Sequence, residues 1–491
     1  MDQINGFSPD SEARALNEIA AIRAQVDSIA KAGNTTTAGI TTGTGLVSIP
    51  LEAPAKSLYS VYTRMRQRIA REAAGGGGLS VTWRAIDDIY SGGYDAGIAE
   101  GAAGSQVSFT ESDHTAAYKT LGRLVNVTFE AQSASETFDD AKSKGTLGGL
   151  QNLQVSEELS LIGGCTTGIA KPGALSFGDT VPAASGSLTA GTTYYYAVSA
   201  VTLMGTDWVN GTGARGHATS DSANETDAVT GSHATTASGN GSTATVIKWA
   251  AVPGALAYNV YAGTTATVHF LAQVTVNTAT VTSIAGVGTQ VPNTANQTAS
   301  AYQFDGIVTQ ASLASGAVLS DLAGASLTAG VGSVNEIDAA LETLFRRRLA
   351  PGLLLVSGHE ATTMRNLILS AGTSVSTMRF NQDVADGGAI KGGSIFMEYT
   401  NPFFPGMPIE VMAHPYMPQG TAVAITEKLP PWFPNANIGT TWSVKPRREF
   451  YSVEYAVSTG SGRVWPVGVY VEEVLKGYMP TSTAVIQGIG A

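Results

Sequence analysis

The stretch from about residue 171 to residue 300 constrains the fold most, because it differs in character from the sequence on either side. Two of its segments alternate apolar and polar residues between turn signals: Thr193–Val201 (TYYYAVSAV) and residues 245–263 (TVIKWAAVPGALAYNVYAG). This alternation predicts half-buried antiparallel strands. Residues 210–241 are mostly Gly, Ser, Thr, Ala, Asn and Asp, a composition that buries little and predicts a long surface loop. The stretch therefore predicts an inserted all-β domain.

The second segment carries the pattern W-x-x-V-P-G-A-x-x-Y-x-V-Y, at Trp249, Val252, Pro253, Gly254, Ala255, Tyr258, Val260 and Tyr261. In this pattern the stretch resembles a fibronectin type III or immunoglobulin-like sandwich, over about a quarter of the chain. The order differs from that of an ordinary fibronectin module, in which the Trp strand precedes the Tyr-rich strand. We interpret the aromatic residues as core, and nothing in the module indicates catalysis.

Charge and cysteine content limit the classes of protein to which the chain can belong. The 491 residues predict two to four domains, only 14% of them are charged, and the net charge of −11 predicts no strong attraction to nucleic acid. The basic run at residues 346–348 ends a predicted helix, where cations complement the helix dipole. Cys165 is the only cysteine, which excludes an intrachain disulfide. Without a signal-peptide pattern or an apolar run of roughly 18 residues, we expect a soluble protein made in the cytoplasm.

The residues before the insert predict helices and a hairpin. Apolar spacing predicts a helix over residues 8–31, which a flexible linker follows, and a second helix over about 56–73. Extended runs around residues 81–83 and over 121–129 flank a polar loop and predict a protruding hairpin. A long helix is predicted over 136–161, with a break near Gly145, Gly148 and Gly149, since each glycine costs about 1 kcal/mol of helix stability relative to alanine.

The residues after the insert alternate helical and extended patterns. Ser333 with Glu336, and Ser357 with Glu360, have the spacing of capping boxes and predict two helix starts. A buried LLLV strand lies between these helices. We expect the strand at 422–426 to pair with the one at 409–413 across the turn between them. The remaining strands are predicted at 393–399 and within 448–457 and 464–475.

This order of elements is typical of one family of shell proteins. Residues 51–86 (LEAPAKSLYSVYTRMRQRIAREAAGGGGLSVTWRAI), the helix–strand–helix pattern of 333–369, and residues 393–428 around MPIEVMAHPYMPQGTAVAI carry the likeness. The chain resembles a tailed-phage major capsid protein of the Hong Kong type, a fold shared with encapsulins and herpesvirus shells. The resemblance implies an α+β fold that carries the β-sandwich as an insertion.

The resemblance also implies a division of the chain. The implied parts are an N-terminal arm (1–50), the start of the peripheral domain (51–165) with an extended loop (about 84–125) and a spine helix (about 136–163), the inserted sandwich (170–300), a mainly axial domain (301–440), and return strands of the peripheral domain (441–491). The arm and loop are expected to reach over neighbouring subunits. The sandwich is expected to project from the outer face of the shell.

The implied function is structural. Copies of the chain are expected to form hexamers and pentamers that close into an icosahedral virion head around double-stranded DNA, which they contact non-specifically. Portal, scaffold and decoration proteins are implied partners, and the sandwich is a candidate for contact with host surfaces or glycans. The resemblance implies no cofactor and no membrane. Some shells of the family cross-link Lys and Asn side chains, but nothing assigns such chemistry to Lys119, which lies near the loop.

The motifs that suggest an enzyme lack the residues or the structural context that the chemistry requires. Residues 211–216 (GTGARG) match a dinucleotide fingerprint by letter, but no strand-to-helix transition surrounds them. His359 and Glu360 begin a zincin-like pattern, but Thr363 stands where the second His is needed. We expect His414 to be structural. The adjacent acid pairs at 87–88, 157–158 and 472–473 are expected to point apart, with no burial that would raise a pKa. We therefore assign no catalytic, cofactor-binding or metal site.

Three other interpretations stay open. An extracellular adhesin would use the fibronectin-like module for binding, although no signal peptide is recognised. An enzyme with an accessory sandwich, for instance a glycoside hydrolase, would need two opposed carboxylates in a cleft. An encapsulin-like compartment would share the fold and differ in its cargo.

Overall fold

The computed structural model describes residues 17, 20, 61–75, 78–88, 98, 100–101, 110–135, 140–180, 188–210, 223–235, 244–285, 287–330, 333–370, 398–404, 406–433, 438–455 and 463–490. The chain divides into two units, Met1–Leu58 with Ala134–Asp140, and Tyr59–Ser133 with Ala141–Ala491. Asn17 and Ala20 are helical. The rest of the helix expected at 8–31, its linker and residues 211–216 lie outside the described residues.

The elements of the second unit fall into three stretches of sequence. The first stretch contains α1 (Arg64–Arg68), β1 (Ala70–Arg71), β2 (Ser80–Asp88), β3 (Thr110–Ala117), β4 (Lys119–Thr128), α2 (Phe129–Ser135, whose last residues belong to the first unit) and α3 (Ala141–Gly163). The second contains β5 (Ser176–Thr180), β6 (Thr193–Val201), α4 (Asp207–Asn210), β7 (Val229–Ala234), β8 (Ala244–Lys248), β9 (Ala257–Gly263), β10 (His269–Val274) and β11 (Thr278–Val281). The third contains α5 (Ile307–Leu313), β12 (Val318–Asp321), α6 (Asn335–Arg346), β13 (Leu353–Val356), α7 (Gly358–Ser370), β14 (Glu398–Tyr399), β15 (Ile409–Ala413), β16 (Ala422–Ile425), β17 (Trp442–Glu454), β18 (Val464–Gly477) and β19 (Thr483–Gln487). The α+β fold class expected from the sequence is confirmed.

A four-stranded sheet supports the long helix α3. Its strand order is β1-β17-β18-β4, with β1 parallel to β17 and the other neighbours antiparallel. The helix α3 packs against β4 and β18. The break expected near its glycines does not occur. Ideal Cβ atoms at Gly145 and Gly149 would each lie 2.8 Å from a methyl carbon of Val125. These glycines therefore let the helix approach β4 closely, and packing offsets their low helix propensity.

The segment before β2 differs from its prediction. The helix expected over 56–73 ends at Arg68 among the described residues, and Ala70 and Arg71 pair instead with Ser443 and Val444 at the edge of the four-stranded sheet. Pairing with a sheet edge thus outweighs the helical spacing of the sequence.

The hairpin differs from its prediction in the strands that pair with each other. β2 pairs with β3, a strand that the sequence analysis assigned to the loop, whereas β4 turns away to pair with β18.

A six-stranded mixed sheet has the order β12-β19-β16-β13-β15-β14. The pairing expected between β15 and β16 is wrong, because β13 lies between them. Alternate residues of β13 face two cores: Leu353 and Leu355 join the core that contains the end of α3, while Leu354 and Val356 join the one beneath α6 and α7. Burial on both faces explains the uninterrupted LLLV run. The last strand of the chain, β19, belongs to this sheet rather than to the sheet of β17 and β18.

The two predicted capping boxes have different outcomes. At α7 the hydroxyl of Ser357 accepts from the backbone N–H of His359 and is hydrogen-bonded to the Glu360 carboxylate, as predicted. At α6 the prediction is wrong, because the helix begins at Asn335 with no side-chain cap. Glu336 instead accepts a hydrogen bond from the Thr328 backbone at 2.9 Å.

The strands β5 to β11, within the region expected to be the insert, form a two-sheet sandwich. Its sheets have the orders β11-β8-β5 and β10-β9-β6-β7, and side chains of both fill one core that contains Tyr196, Trp249 and Tyr258. The loop expected over 210–241 contains β7, a strand at the sheet edge whose residues alternate between half-buried and exposed. Leu203 and Leu256 of the insert are buried in the core that contains the end of α3. The sandwich is therefore packed into the rest of the second unit.

Two neighbouring glycines of α3 provide a matched test of its packing. No atom lies within 4 Å of an ideal Cβ at Gly148, so Gly148→Ala should stabilise the protein by about 1 kcal/mol through helix propensity. Gly149→Ala should instead destabilise it by about 1–3 kcal/mol, because the stiff Val125 side chain has little freedom to yield. Denaturant unfolding of both variants measures the difference. Equal stabilisation by the two substitutions would contradict the close packing of α3 on β4.

Candidate functional site

Buried charged side chains gather where residues 64–72 cross α3 and both large sheets. We call residues 64–72 the clasp segment. It contains α1 and β1, and of its residues only Met65 is a buried hydrophobic one. Its contacts with the rest of the fold are therefore mainly ionic and hydrogen-bonded.

Glu157 of α3 is fully buried and forms ion pairs with two arginines of the clasp segment. Its Oε2 accepts a hydrogen bond of 2.6 Å from Nε of Arg66, and its Oε1 is paired with Arg71. The Arg71 guanidinium also donates to Glu473 of β18 at 2.8 Å and to Glu449 of β17 at 3.1 Å. One arginine thus joins the helix to two strands of the four-stranded sheet.

Glu158, the next residue of α3, fixes the start of α1. Its carboxylate accepts from the backbone N–H groups of Met65 and Arg66 at 2.8 and 2.7 Å, groups that have no partner within a helix at its first turn. His414 lies 2.9 Å away through Nε2, and its Nδ1 accepts from the backbone N–H of Tyr416. His414 therefore carries its proton on Nε2 and donates it to Glu158. The structural role expected for His414 agrees with this contact.

The clasp segment also reaches the six-stranded sheet. Arg68 pairs with Glu410 of β15 and with Glu427, just after β16, where the Nη2–Oε2 distance is 2.9 Å. At the other end of the segment, Glu72 pairs with Lys476 and lies 3.7 Å from Nζ of Lys445. Ion pairs thus connect this short segment to every large element around it.

For the acid pairs at 157–158 and 472–473, the expectation of no burial is wrong. Glu157, Glu158 and Glu473 are fully buried, and Glu472 is 8% exposed. Burial, together with the nearby charge of Glu157, raises the pKa of Glu473 to about 8, although Arg71 opposes the shift. The sequence offered only a weak signal for this cluster, namely several arginines closely spaced in 64–71. Side chains of residues 87–88 lie outside the described part.

The geometry of these acids favours a role in holding the fold together rather than in catalysis. A general acid or base must come within hydrogen-bond reach of a substrate, whereas Glu157 and Glu473 are enclosed and engaged by arginines. Two cavities of about 360 and 410 Å³ are lined by other residues. In the described part of the chain, no group of three or more His, Cys, Asp or Glu residues has the arrangement of a metal site.

The remaining sequence motifs occupy structural positions. Glu360 accepts hydrogen bonds from the Ser357 hydroxyl that caps α7 and from the backbone N–H of Gly420, the latter at 2.8 Å. The Lys119 ammonium donates to the carbonyl of Ala301 at 3.1 Å. Burial raises the pKa of the Cys165 thiol to about 11. The basic run follows the end of α6, as predicted, and Arg346 pairs with Glu342 one turn earlier. No described helix is long and apolar enough to span a membrane.

Comparisons with known proteins give structural likenesses only. No family model and no curated protein sequence matches the chain. Among solved structures, the capsid of a native GTA particle has a TM-score of 0.42 and 10% identity and covers 93% of this chain and 100% of its own. The Cyanophage A-1(L) capsid has a TM-score of 0.42 and 10% identity, with 89% and 95% covered. The holo-SrpI encapsulin complex from Synechococcus elongatus has a TM-score of 0.37 and 8% identity, with 89% and 90% covered.

These structures belong to the class of shell proteins that the sequence resembles. TM-scores below 0.5 mark a distant similarity, so the assignment of a function depends on the chain's own architecture.

Glu158 provides a test of the cluster. Glu158→Gln replaces one acceptor oxygen with a donor that faces backbone N–H groups, and should lower the free energy of unfolding by about 3 kcal/mol. Glu454→Gln is the matched control, since Glu454 is 67% exposed in its pair with Lys142 and should change stability by less than about 1 kcal/mol. Denaturant titration measures both. A change at Glu158 no larger than that at Glu454 would mean that the cluster does not hold the clasp segment in place.

Proposed function

We propose that this chain is the shell-forming subunit of a tailed-phage head with a Hong-Kong-type capsid fold. The order of its elements carries the proposal. A β2–β3 hairpin precedes a 23-residue helix that packs along a four-stranded sheet, and a six-stranded mixed sheet follows the insert. This is the order expected for an extended loop, a spine helix and an axial domain.

The proposed parts keep the boundaries given by the sequence. Residues 1–50 form the arm, about 84–125 the extended loop, about 136–163 the spine helix, 301–440 mainly the axial domain and 441–491 mainly the peripheral return. The pairing of β18 with β4 supports the peripheral assignment of β17 and β18. β19 is an exception within the last part, since it pairs with β12 and β16.

The sandwich is proposed to be an insertion near residues 170–300. Its entry and exit run side by side: the Ser300 N–H donates to the Cys165 carbonyl at 3.0 Å, and the Gly306 N–H donates to that of Gly164 at 2.9 Å. Neighbouring ends allow a domain to interrupt a host fold. Two sheets that share a core containing Tyr196, Trp249 and Tyr258 support the proposal that the insertion is a fibronectin-like sandwich.

Exposed apolar side chains support assembly with further copies. Phe345, Phe403, Phe404 and Trp432 form a continuous group of rings with centroids 5.0–5.1 Å apart, and Phe345 and Trp432 are 40% and 41% exposed. Contiguous apolar surface of this kind marks protein–protein contacts more often than scattered residues do. A charged fraction of 14% agrees with a subunit that neighbours cover.

The proposed partners follow from this role. Copies of the chain form hexamers and pentamers of an icosahedral head, made in the host cytoplasm, around double-stranded DNA that they touch non-specifically. Portal, scaffold and decoration proteins, and glycans at the sandwich, are further proposed partners. The role is structural rather than enzymatic, which the enclosed and ion-paired state of the acid cluster supports.

Light scattering after size exclusion tests the proposal directly. The recombinant chain should elute as discrete pentamers and hexamers or as closed shells, and electron micrographs of the heaviest fraction should reveal one knob per subunit. A stable monomer at high protein concentration over a range of salt concentrations would contradict the proposal and favour the adhesin-like alternative.

Deletion of residues 2–45 tests the arm. The truncated chain should keep its fold, because the described core of the second unit begins at residue 61, but should lose closed shells. Far-UV circular dichroism provides the folding control, and micrographs provide the assembly result. Unchanged shell formation by the truncated chain would overturn the arm assignment without affecting the rest of the proposal.

A further inference from the structure

The charges around Arg71 do not balance. Glu157 and Glu473 are fully buried, and Glu449 is a third carboxylate on the same guanidinium. Among the described residues, the cations that contact Glu157 or Glu473 are Arg66 and Arg71. Three carboxylates thus share two guanidinium groups, and two of the three have no exposure to water. A buried charge without full compensation is costly, and a carboxyl group avoids the cost by keeping a proton.

Neighbouring charges from the other elements do not restore the balance. On α3, Glu158 is engaged by His414 and by the backbone of the clasp segment. On β17 and β18, Lys445 and Lys476 pair with Glu72. Elsewhere on these strands Glu472 pairs with Arg447 and lies 3.9 Å from Arg448, and Glu454 pairs with Lys142. Arg68 faces Glu410 and Glu427.

The proton belongs at Glu473. Oε2 of Glu473 accepts from Arg71, whereas its Oε1 accepts no hydrogen bond among the described residues. Glu473 also lies within hydrogen-bond reach of the Glu157 carboxylate, so a proton on Glu473 has an acceptor there. Burial and the Glu157 charge, in agreement with this arrangement, raise the pKa of Glu473 from an ordinary value of 4.5 to about 8.

We infer that the clasp segment has two states, one packed against α3 and β18 (the seated state) and one detached. The seated state binds one more proton, held between Glu157 and Glu473, and the segment detaches as this proton is lost. The clasp segment moves rather than α3 or β18. Glu157 and Glu473 belong to α3 and β18, and these two elements contribute many residues to the core. The clasp segment contributes only Met65 to that core as a buried residue, and β1 is a two-residue strand at a sheet edge. Local opening starts where little apolar surface must be exposed.

The direction of the pH dependence follows from linkage. Detachment removes Arg71, whose charge lowers the pKa of Glu473, but it also exposes this carboxyl to water, and burial is the largest cause of its raised pKa. The pKa of Glu473 in the detached state therefore falls from its seated value of about 8 towards the ordinary value of 4.5. Between these two values only the seated state holds the proton. Seating therefore weakens as pH rises through this window, by about tenfold in the opening equilibrium per pH unit, and levels off above pH 8.

Limited trypsin digestion measures this opening, since the clasp segment contains four cleavage sites at Arg64, Arg66, Arg68 and Arg71. Cleavage rates at these sites are followed by mass spectrometry from pH 6 to pH 9. Rates of wild type are divided by those of Glu473→Gln at the same pH, which cancels the pH profile of trypsin. The amide mimics the protonated acid, so the ratio should rise about tenfold per pH unit from pH 6 and flatten near pH 8.

Glu449→Gln is the matched control. It makes the same substitution on the same guanidinium, but Glu449 is 50% exposed. The rise with pH should persist in this variant. Cleavage at residues 346–348, in the same digests, reports global unfolding and should stay low.

Two results would overturn the inference. One is a wild-type rate that follows Glu473→Gln at every pH. The other is loss of the pH dependence in Glu449→Gln but not in Glu473→Gln. If Glu473→Gln fails to fold, Glu157→Gln takes its place as the reference. In addition, the slope of the logarithm of the wild-type cleavage rate against pH, corrected with the rate for an unstructured arginine peptide, must correspond to the loss of about one proton per opening event. The measurement requires no shell, so it succeeds or fails independently of the proposed function.

Discussion

The contact between Glu158 and the backbone of α1 is the constraint on which the arrangement around the clasp segment depends. A carboxylate in the middle of a buried helix is tolerated only when its oxygens are satisfied, and two backbone N–H groups and His414 satisfy them. These partners come from the clasp segment and from the end of β15. The position of α3 therefore fixes the position of both, and Glu157, one residue earlier, repeats the effect through Arg66 and Arg71.

Close packing makes this ionic arrangement possible. Gly145 and Gly149 bring the first half of α3 onto Val125 of β4, while all residues from Glu157 to the end of the helix are buried. A bulkier residue at either glycine would move the helix away from the sheet, and with it the two glutamates. The residues that weaken the helix in isolation therefore serve the tertiary structure. Their helix propensity is a poor guide to the outcome, since packing supplies most of the stability of helices in proteins.

Local sequence predicted the elements whose signals are local. The Tyr-rich β6, the strand β8 that ends just before Trp249, the LLLV strand and the cap at Ser357 follow from periodicity or from side-chain chemistry within a few residues. The pairing of strands did not follow, because the insertion of β13 between β15 and β16 depends on contacts distant in sequence. The helix expected through Ala73 failed for the same reason, since a sheet edge more than 300 residues away captures Ala70 and Arg71.

The acid cluster could not be predicted, because burial is a property of the fold. Adjacent acids such as Glu157 and Glu158 usually imply an exposed face, and their environment changes only when a segment rich in arginine crosses them. The segment itself contributes one buried hydrophobic residue, Met65, so charge pairing rather than apolar burial decides whether it stays attached.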